Sequence, residues 1–304
     1  MAYGKALDQS EYNGARLEQA RSLAALAELD RKRGRYAAAM QRLDRANEIF
    51  TYLGDRDGAA QVLHFQGTVA THQGEFQAAE KLYQASLMIR REQGDEAHAA
   101  SLLSNLGIVA RVQGRYDDSR FLNEEALTLR RRLGDKWAIA VSLNNLGHVA
   151  IDQGKFDEAR RLLEEGLALR WEVGDMWVVA NSLNNLGNLA RGQGDYPEAE
   201  ARYRESLKIV IEYNDRWAMA YLLEDMGYLV ALQSQPERAL RLVGAAEVLR
   251  QVIGAPRSAT EQEKLEGGLE NVRKALGEPA ATERLEEGRR MSFEQAAAYA
   301  ATNQ

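Results

Sequence analysis

Apolar positions recur along this chain with two spacings, one nested in the other. Leu143, Leu146, Val149 and Ala150 stand three and four residues apart, the spacing that lays one apolar stripe along a helix. The whole arrangement then returns 40 residues later. The block Gly134–Val173, GDKWAIAVSLNNLGHVAIDQGKFDEARRLLEEGLALRWEV, aligns without a gap to the block that starts at Gly174. The same frame runs back to residue 14 and forward to residue 253. A fixed period between 20 and 50 residues marks a stacked-repeat architecture.

Each block predicts two helices. The first opens after Gly-Asp, at Asp55, Asp95, Asp135, Asp175 and Asp215, where a carboxylate can cap free N–H groups at the positive end of the helix. A mid-helix glycine follows at Gly67, Gly107, Gly147, Gly187 and Gly227. Glycine there costs ~1 kcal/mol relative to alanine, so its recurrence predicts a close crossing by a neighbouring helix. Gly34, Gly74, Gly114, Gly154 and Gly194 end the helix as left-handed caps. The second helix opens on Tyr36, Phe76, Tyr116, Phe156 and Tyr196 and carries small residues such as Ala79, Ser119 and Ala159. Its last turn is basic, with Arg90-Arg91, Arg130-Arg131-Arg132 and Arg170. The expected role of these arginines is to complement the helix dipole and face solvent.

This pattern resembles the tetratricopeptide repeat, through the leucine-glycine pair of the first helix, the aromatic after the turn and the small residues of the second. The usual repeat is 34 residues; the longer variant with NLG and GD is similar to that of animal spindle-orientation adaptors and many bacterial regulators. The resemblance implies an all-α, right-handed solenoid of antiparallel helix pairs. HEAT-type pairs have a similar period but not this Gly/aromatic/Ala set, and neither helix region shows the period-2 alternation of a propeller blade.

The frame places six repeats at 14–53 through 214–253. Residues 1–13 read as a partial helix of a preceding repeat, since Tyr3, Ala6 and Leu7 fall on the frame of Tyr83, Ser86 and Leu87. The chain therefore reads as a piece of a longer array. Residues 254–304 break the period and read as capping helices. Leu265, Leu269, Val272 and Leu276 form one stripe, expected to cover the second helix of the last repeat. Ser292 and Gln295 form a capping-box pattern that opens a final helix through Ala301. The strings ALRLVGAAEVLRQVIGAP (239–256), LGE (276–278) and EGRRMSFEQAAAYA (287–300) resemble the C-terminal end of large bacterial ATPase-coupled (STAND/LuxR-like) transcriptional regulators. In that family a DNA-binding domain and a nucleotide switch precede the repeats; neither lies in this sequence.

Composition narrows the function. With 39 Lys and Arg against 45 Asp and Glu, the net charge of −6 offers no electrostatic case for nucleic acid or an anionic membrane. The chain has no cysteine, which excludes disulfides and thiolate chemistry and suits a reducing cytoplasm. There is no apolar signal core and no 18-residue apolar run. No phosphate loop, H-E-x-x-H or G-x-S-x-G motif is present, and paired acids such as Glu164-Glu165 read as solvated helix faces. The expectation is a non-catalytic module without cofactor or metal. An alternative is a regulator of response-regulator phosphorylation, although the helical bundle with catalytic glutamine of such proteins has no counterpart before residue 14.

The candidate surface is the face of the first helices opposite the buried stripe. It comprises His64, Ser104, Arg111, Trp137, Asn144, His148, Asp152, Trp177, Asn181, Asn184, Asn188, Arg191, Trp217, Tyr221, Glu224 and Tyr228. Amides, His and Arg in such a row suit an extended peptide backbone or a protein segment, or another domain of a longer parent chain. Arg111 and Arg191 are expected to add charge-assisted bonds to a ligand carboxylate, with Asp152 and Glu224 balancing the charge. Asn105, Asn145 and Asn185 lie to one side and read as bridges between repeats. The recurring tryptophans read as packing on the preceding repeat, or as an aromatic ladder at the groove lip.

Overall fold

A computed structural model of the chain describes residues 2–255, 257 and 259–302, with side chains from Tyr12 onward except at 259–261 and 264. It is all helical, with no strand among the described residues. The chain divides into two compact units, Met1–Gln153 and Gly154–Gln304.

The first unit holds α1 (Ala2–Lys32), α2 (Tyr36–Leu53), α3 (Arg56–His72), α4 (Phe76–Glu92), α5 (Glu96–Val112), α6 (Tyr116–Leu133) and α7 (Lys136–Asp152). The second holds α8 (Phe156–Val173), α9 (Met176–Gly192), α10 (Tyr196–Glu212), α11 (Arg216–Leu232), α12 (Pro236–Val252), α13 (Ala259–Leu276), α14 (Glu278–Arg289) and α15 (Phe293–Ala301). Within each unit successive helices pack against one another, as α3 does on α4 and α9 on α10.

The expected caps form. The side chains of Asp55, Asp95, Asp135, Asp175 and Asp215 accept from the backbone N–H three residues on, at 3.0–3.3 Å. The inter-helix glycines take positive φ. In the last repeat two other residues stand in for them, Asn214 (φ 48°) and Ser234 (φ 61°). The expected break at Gly14 is absent: α1 is one 31-residue helix. Gly14 keeps helical φ and no capping aspartate follows it, so nothing stops the helix there. The side chains behind the expected partial repeat, Tyr3, Ala6 and Leu7, lie outside those described.

Gly67, Gly107 and Gly187 admit a side chain rather than a backbone, whereas Gly227 faces both Val243 and the Ala239 carbonyl. A Cβ at Gly67 would lie 2.6 Å from the Tyr83 ring, one at Gly187 2.4 Å from the Tyr203 ring, and one at Gly107 2.3 Å from Asn123 Nδ2. Sealing a large ring against the facing helix stabilises by ~2–3 kcal/mol, which outweighs the ~1 kcal/mol propensity cost of glycine.

The arginines at the end of the second helices divide: Arg91, Arg131 and Arg132 are exposed as expected, but one arginine per helix is not. Arg90, Arg130, Arg170 and Arg250 are buried, at 4–6% exposure. Arg130 Nη1 donates to Ser142 Oγ at 2.7 Å, and Arg170 makes the equivalent bond to Ser182. Arg90 pairs with Asp57 and with the capping Asp95. Arg250 grips both oxygens of Glu224, at 2.6 and 2.9 Å. These guanidiniums join a second helix to a first helix within the core. Their strict 40-residue recurrence at 90, 130 and 170 was the sequence signal for it.

The tail covers the last repeat with more helix than expected. α14, unread in the sequence, lies directly on α12. A Cβ at Gly244 would meet Leu285 O at 2.2 Å, and one at Gly288 would meet Arg241 O at 2.0 Å, so the two backbones touch. Gly244 occupies the frame position held by Glu124, Glu164 and Arg204 elsewhere; a charged surface position has become a contact. Leu265, Leu269 and Val272 are buried as expected, but α13 lies on α11 as well as α12. Ser292 and Gln295 form the capping box that opens α15.

Candidate functional site

The first-helix face differs between the two units. In the first unit, α3, α5 and α7 cross-link their own polar residues. His64 Nε2 accepts from Asn105 Nδ2 at 2.8 Å, which places the ring proton on Nδ1. Arg111 Nη1 donates to Asp152 Oδ2 at 2.9 Å, and Arg31 Nη1 lies 2.9 Å from His72 Nε2. Each bond spans 41 residues, one period plus the one-residue stagger between neighbouring first helices. Arg111 and Asp152 thus satisfy each other rather than waiting for a ligand carboxylate. Ser104 is buried, at 4% exposure, and leaves the candidate surface. Asn145 donates to Asn123 on α6, so Asn105 and Asn145 have the bridging role read for them. Trp137 is half exposed on α7, with Asn144 and His148 partly buried further along it.

Burial pushes the pKa of His64 down from 6.5 to about 4, with the charges of His98 and Arg90 adding to it. Burial followed by Arg31 lowers that of His72, whose ring stacks on Tyr36 at 5.9 Å. Both imidazoles are neutral structural parts. Among the described residues no three acidic or histidine side chains cluster as a metal site would require.

In the second unit the face of α9 carries Trp177, Asn181, Asn184, Asn188 and Arg191, and that of α11 carries Trp217, Tyr221, Tyr228 and Leu232. The centre is Asp225, which is not among the sequence-predicted site residues. Its Oδ2 accepts from Asn184 Nδ2 at 2.8 Å and from Asn188 Nδ2 at 3.0 Å. Arg191 reaches its backbone O at 3.3 Å and its Oδ1 at 3.5 Å. Tyr203 OH, behind the face, donates to Asn188 Oδ1 at 2.7 Å. Burial raises the Asp225 carboxyl against the opposing pull of Arg191 and the two amides. Asn184 and Asn188 therefore hold a carboxylate of their own chain, not an open row of donors. Asp225 stands in the frame of Asn105, Asn145 and Asn185, and that column was the available signal. Glu224 is likewise not a free groove acid, since Arg250 and Arg257 hold it at 2.6–2.9 Å.

Towards the start of the helices the face is aromatic and open. Trp177 and Trp217 lie 6.3 Å apart between ring centroids, and Trp217 and Tyr221 4.3 Å. The Arg250 guanidinium sits over the Tyr221 ring, 4.0 Å from its centroid. Trp177 is 51% and Trp217 43% exposed, and Trp217 touches Trp177 of the preceding repeat, so each is partly packed and partly open. At the other end Arg191 lies 5.1 Å from the Tyr228 ring, beside an open pocket of about 240 Å³ lined by Leu232 and by Gly268 of α13.

The tetratricopeptide-repeat family model matches residues 18–92, 58–132, 98–170 and 178–247, the first three windows starting one 40-residue period apart. The chain belongs to the tetratricopeptide-repeat family. It is a repeat protein-interaction module by family and fold. Solved structures share that fold at low identity. BtubC (BKLC) from P. vanneervenii is 23% identical over 67% of this chain and 91% of its own, with a TM-score of 0.57. A Rap protein complexed with competence and sporulation factor is 15% identical over 92% and 72%, with a TM-score of 0.67. Aspartyl phosphate phosphatase F from Bacillus subtilis is 11% identical over 96% and 71%, with a TM-score of 0.63. No curated protein matches the chain. No described helix of this repeat protein is long and apolar enough to cross a membrane.

Proposed function

We propose that the chain is a non-catalytic repeat module that binds a protein or extended peptide along the first-helix face of its second unit. It would serve as the sensor or scaffold arm of a bacterial signalling or transcriptional regulator in the cytoplasm. The aromatic ladder carries the binding reading. Two half-exposed tryptophans in contact with each other, one of them also against Tyr221, are costly to leave in water and are the residue types that dominate interface energetics. The tail strings at 239–256 and 287–300 support the regulator context, with six repeats over 14–253, a cap over 254–304 and further domains in a longer parent chain.

The test is binding of the full chain to a defined pool of random octapeptides, followed by titration of the enriched sequences. W177A/W217A should weaken binding by roughly tenfold or more, the scale of a central tryptophan contact, while circular dichroism shows the helices retained. Equal binding by the double variant would overturn the reading. An open reading frame that begins at Met1 would instead favour a stand-alone scaffold. Release of phosphate from a phosphorylated receiver domain would overturn the non-catalytic assignment.

A further inference from the structure

We infer that the cavity between α9, α11 and α13 is a specificity pocket that takes one large apolar side chain of an extended peptide, with Arg191 pairing an acidic side chain next to it. The inference rests on the peptide-binding reading above and names the sequence that reading leaves open.

Size comes first. The cavity is about 240 Å³, walled by Tyr228, Leu232 and Gly268 with the Arg191 guanidinium at its edge. Small-molecule sites run to ~300–1,000 Å³, so this one fits a single side chain whose main chain continues outside. Arg191 supplies the charge preference. Its two bonds to Asp225 are long, at 3.3 and 3.5 Å, and a guanidinium has five N–H donors in a fixed fork. Asp225 itself is already served by the shorter bonds from Asn184 and Asn188. Arg191 can thus turn a fork towards an incoming carboxylate without stripping Asp225 of its partners. Its placement over the Tyr228 ring fixes the plane of that fork.

Tyr228 is fixed in turn by α13. A Cβ at Gly268 would stand 2.5 Å from the Tyr228 ring, so glycine lets the ring lie against the helix and leaves the space beside it open. Spacing along α9 then sets the ligand's length. Trp177 and Arg191 are fourteen residues apart, ~21 Å along a helix, which an extended chain covers in about six residues. One apolar residue on the ladder and an apolar–acidic pair at the pocket, about six residues apart, is the sequence the face selects.

The experiment uses the full chain and defined octapeptides with amidated C-termini, in which Leu or Phe precedes Glu, Gln or Lys at internal positions. The wild-type chain should prefer the Glu series over the Gln series by roughly tenfold, the scale of one charge-assisted hydrogen bond, and should bind the Lys series weakest. R191Q should abolish the Glu preference while retaining the apolar one. L232W, which fills the cavity from a side chain that is 54% exposed and outside the core, should weaken all series alike. If both variants bind and discriminate as wild type while W177A/W217A does not bind, the pocket assignment is overturned and the peptide-binding reading stands. Binding that requires a free C-terminal carboxylate overturns the internal acidic residue. A chain that enriches no peptide overturns both.

Discussion

Protonation of His64 should weaken the first unit in a defined pH window. His64 is partly buried on α3, edge-on to the Tyr83 ring at 5.8 Å, and its Nε2 accepts from Asn105. A proton on Nε2 would break that bond and place a charge beside the ring, near His98 and Arg90. Burial, then those charges, lowers its pKa from 6.5 to about 4. The fold thus prefers the neutral ring. Its contribution is present in full above pH 6.5 and is lost as pH falls from 6.5 towards 4. At about 1.4 kcal/mol per tenfold change in proton affinity, the loss by pH 4 is roughly 3 kcal/mol. H64Q retains an acceptor for Asn105 and cannot titrate. Denaturant unfolding of both proteins between pH 7 and 4 should show the wild type losing roughly 3 kcal/mol more than H64Q. An NMR titration, with H64Q assigning the resonance, should place the His64 midpoint near 4. A midpoint near 6.5, or parallel losses in the two proteins, would refute the argument.

Other substitutions probe the repeat geometry. G187A improves helix propensity yet drives a Cβ to 2.4 Å from the Tyr203 ring, so thermal unfolding should show a net loss of about 1–3 kcal/mol. N188A removes a donor to Asp225 and the acceptor of Tyr203 OH and should cost about 2 kcal/mol, whereas a solvated groove asparagine would cost less than ~0.5 kcal/mol. S234G relieves a serine at φ 61° and should stabilise by roughly 0.5–1 kcal/mol, read as a higher denaturation midpoint. Truncation after residue 255 removes α13, α14 and α15 and should expose α12, producing aggregation or a lower melting temperature in light scattering and calorimetry. G288A, aimed at Arg241 O, should loosen the cap in hydrogen exchange without removing it.

Periodicity made the architecture legible. The 40-residue frame, Gly-Asp starts, left-handed glycines and capping aspartates are local devices, written in neighbouring residues and needing no distant partner, so they could be read in order. The same reasoning located the face of the first helices and the tryptophan column. It misread what the polar residues on that face do. Asn184, Asn188 and Arg191 looked like a free donor row because helical spacing gives the direction of a side chain and says nothing of its partner, Asp225, 34–41 residues away. Arg90, Arg130 and Arg170 looked solvated because charge at a helix end usually is, and their acceptors sit on other helices. α14 escaped notice because its few apolar contacts, Ala281, Leu285 and Gly288, make a stripe only against the backbone of α12.

Local chain chemistry is therefore enough to specify that this protein is a stack of helix pairs and where each helix starts and stops, because capping and periodicity act within a few residues. Which polar groups remain available to a partner depends on the one-residue stagger between neighbouring repeats. That stagger brings a donor within hydrogen-bond reach of an acceptor 41 residues away in the chain. A buried donor or acceptor is costly to leave unpaired, so packing consumes the groups it can match. On the second unit's face it leaves Trp177 and Trp217 half open to solvent, with the partly covered Arg191 at the other end of the same face.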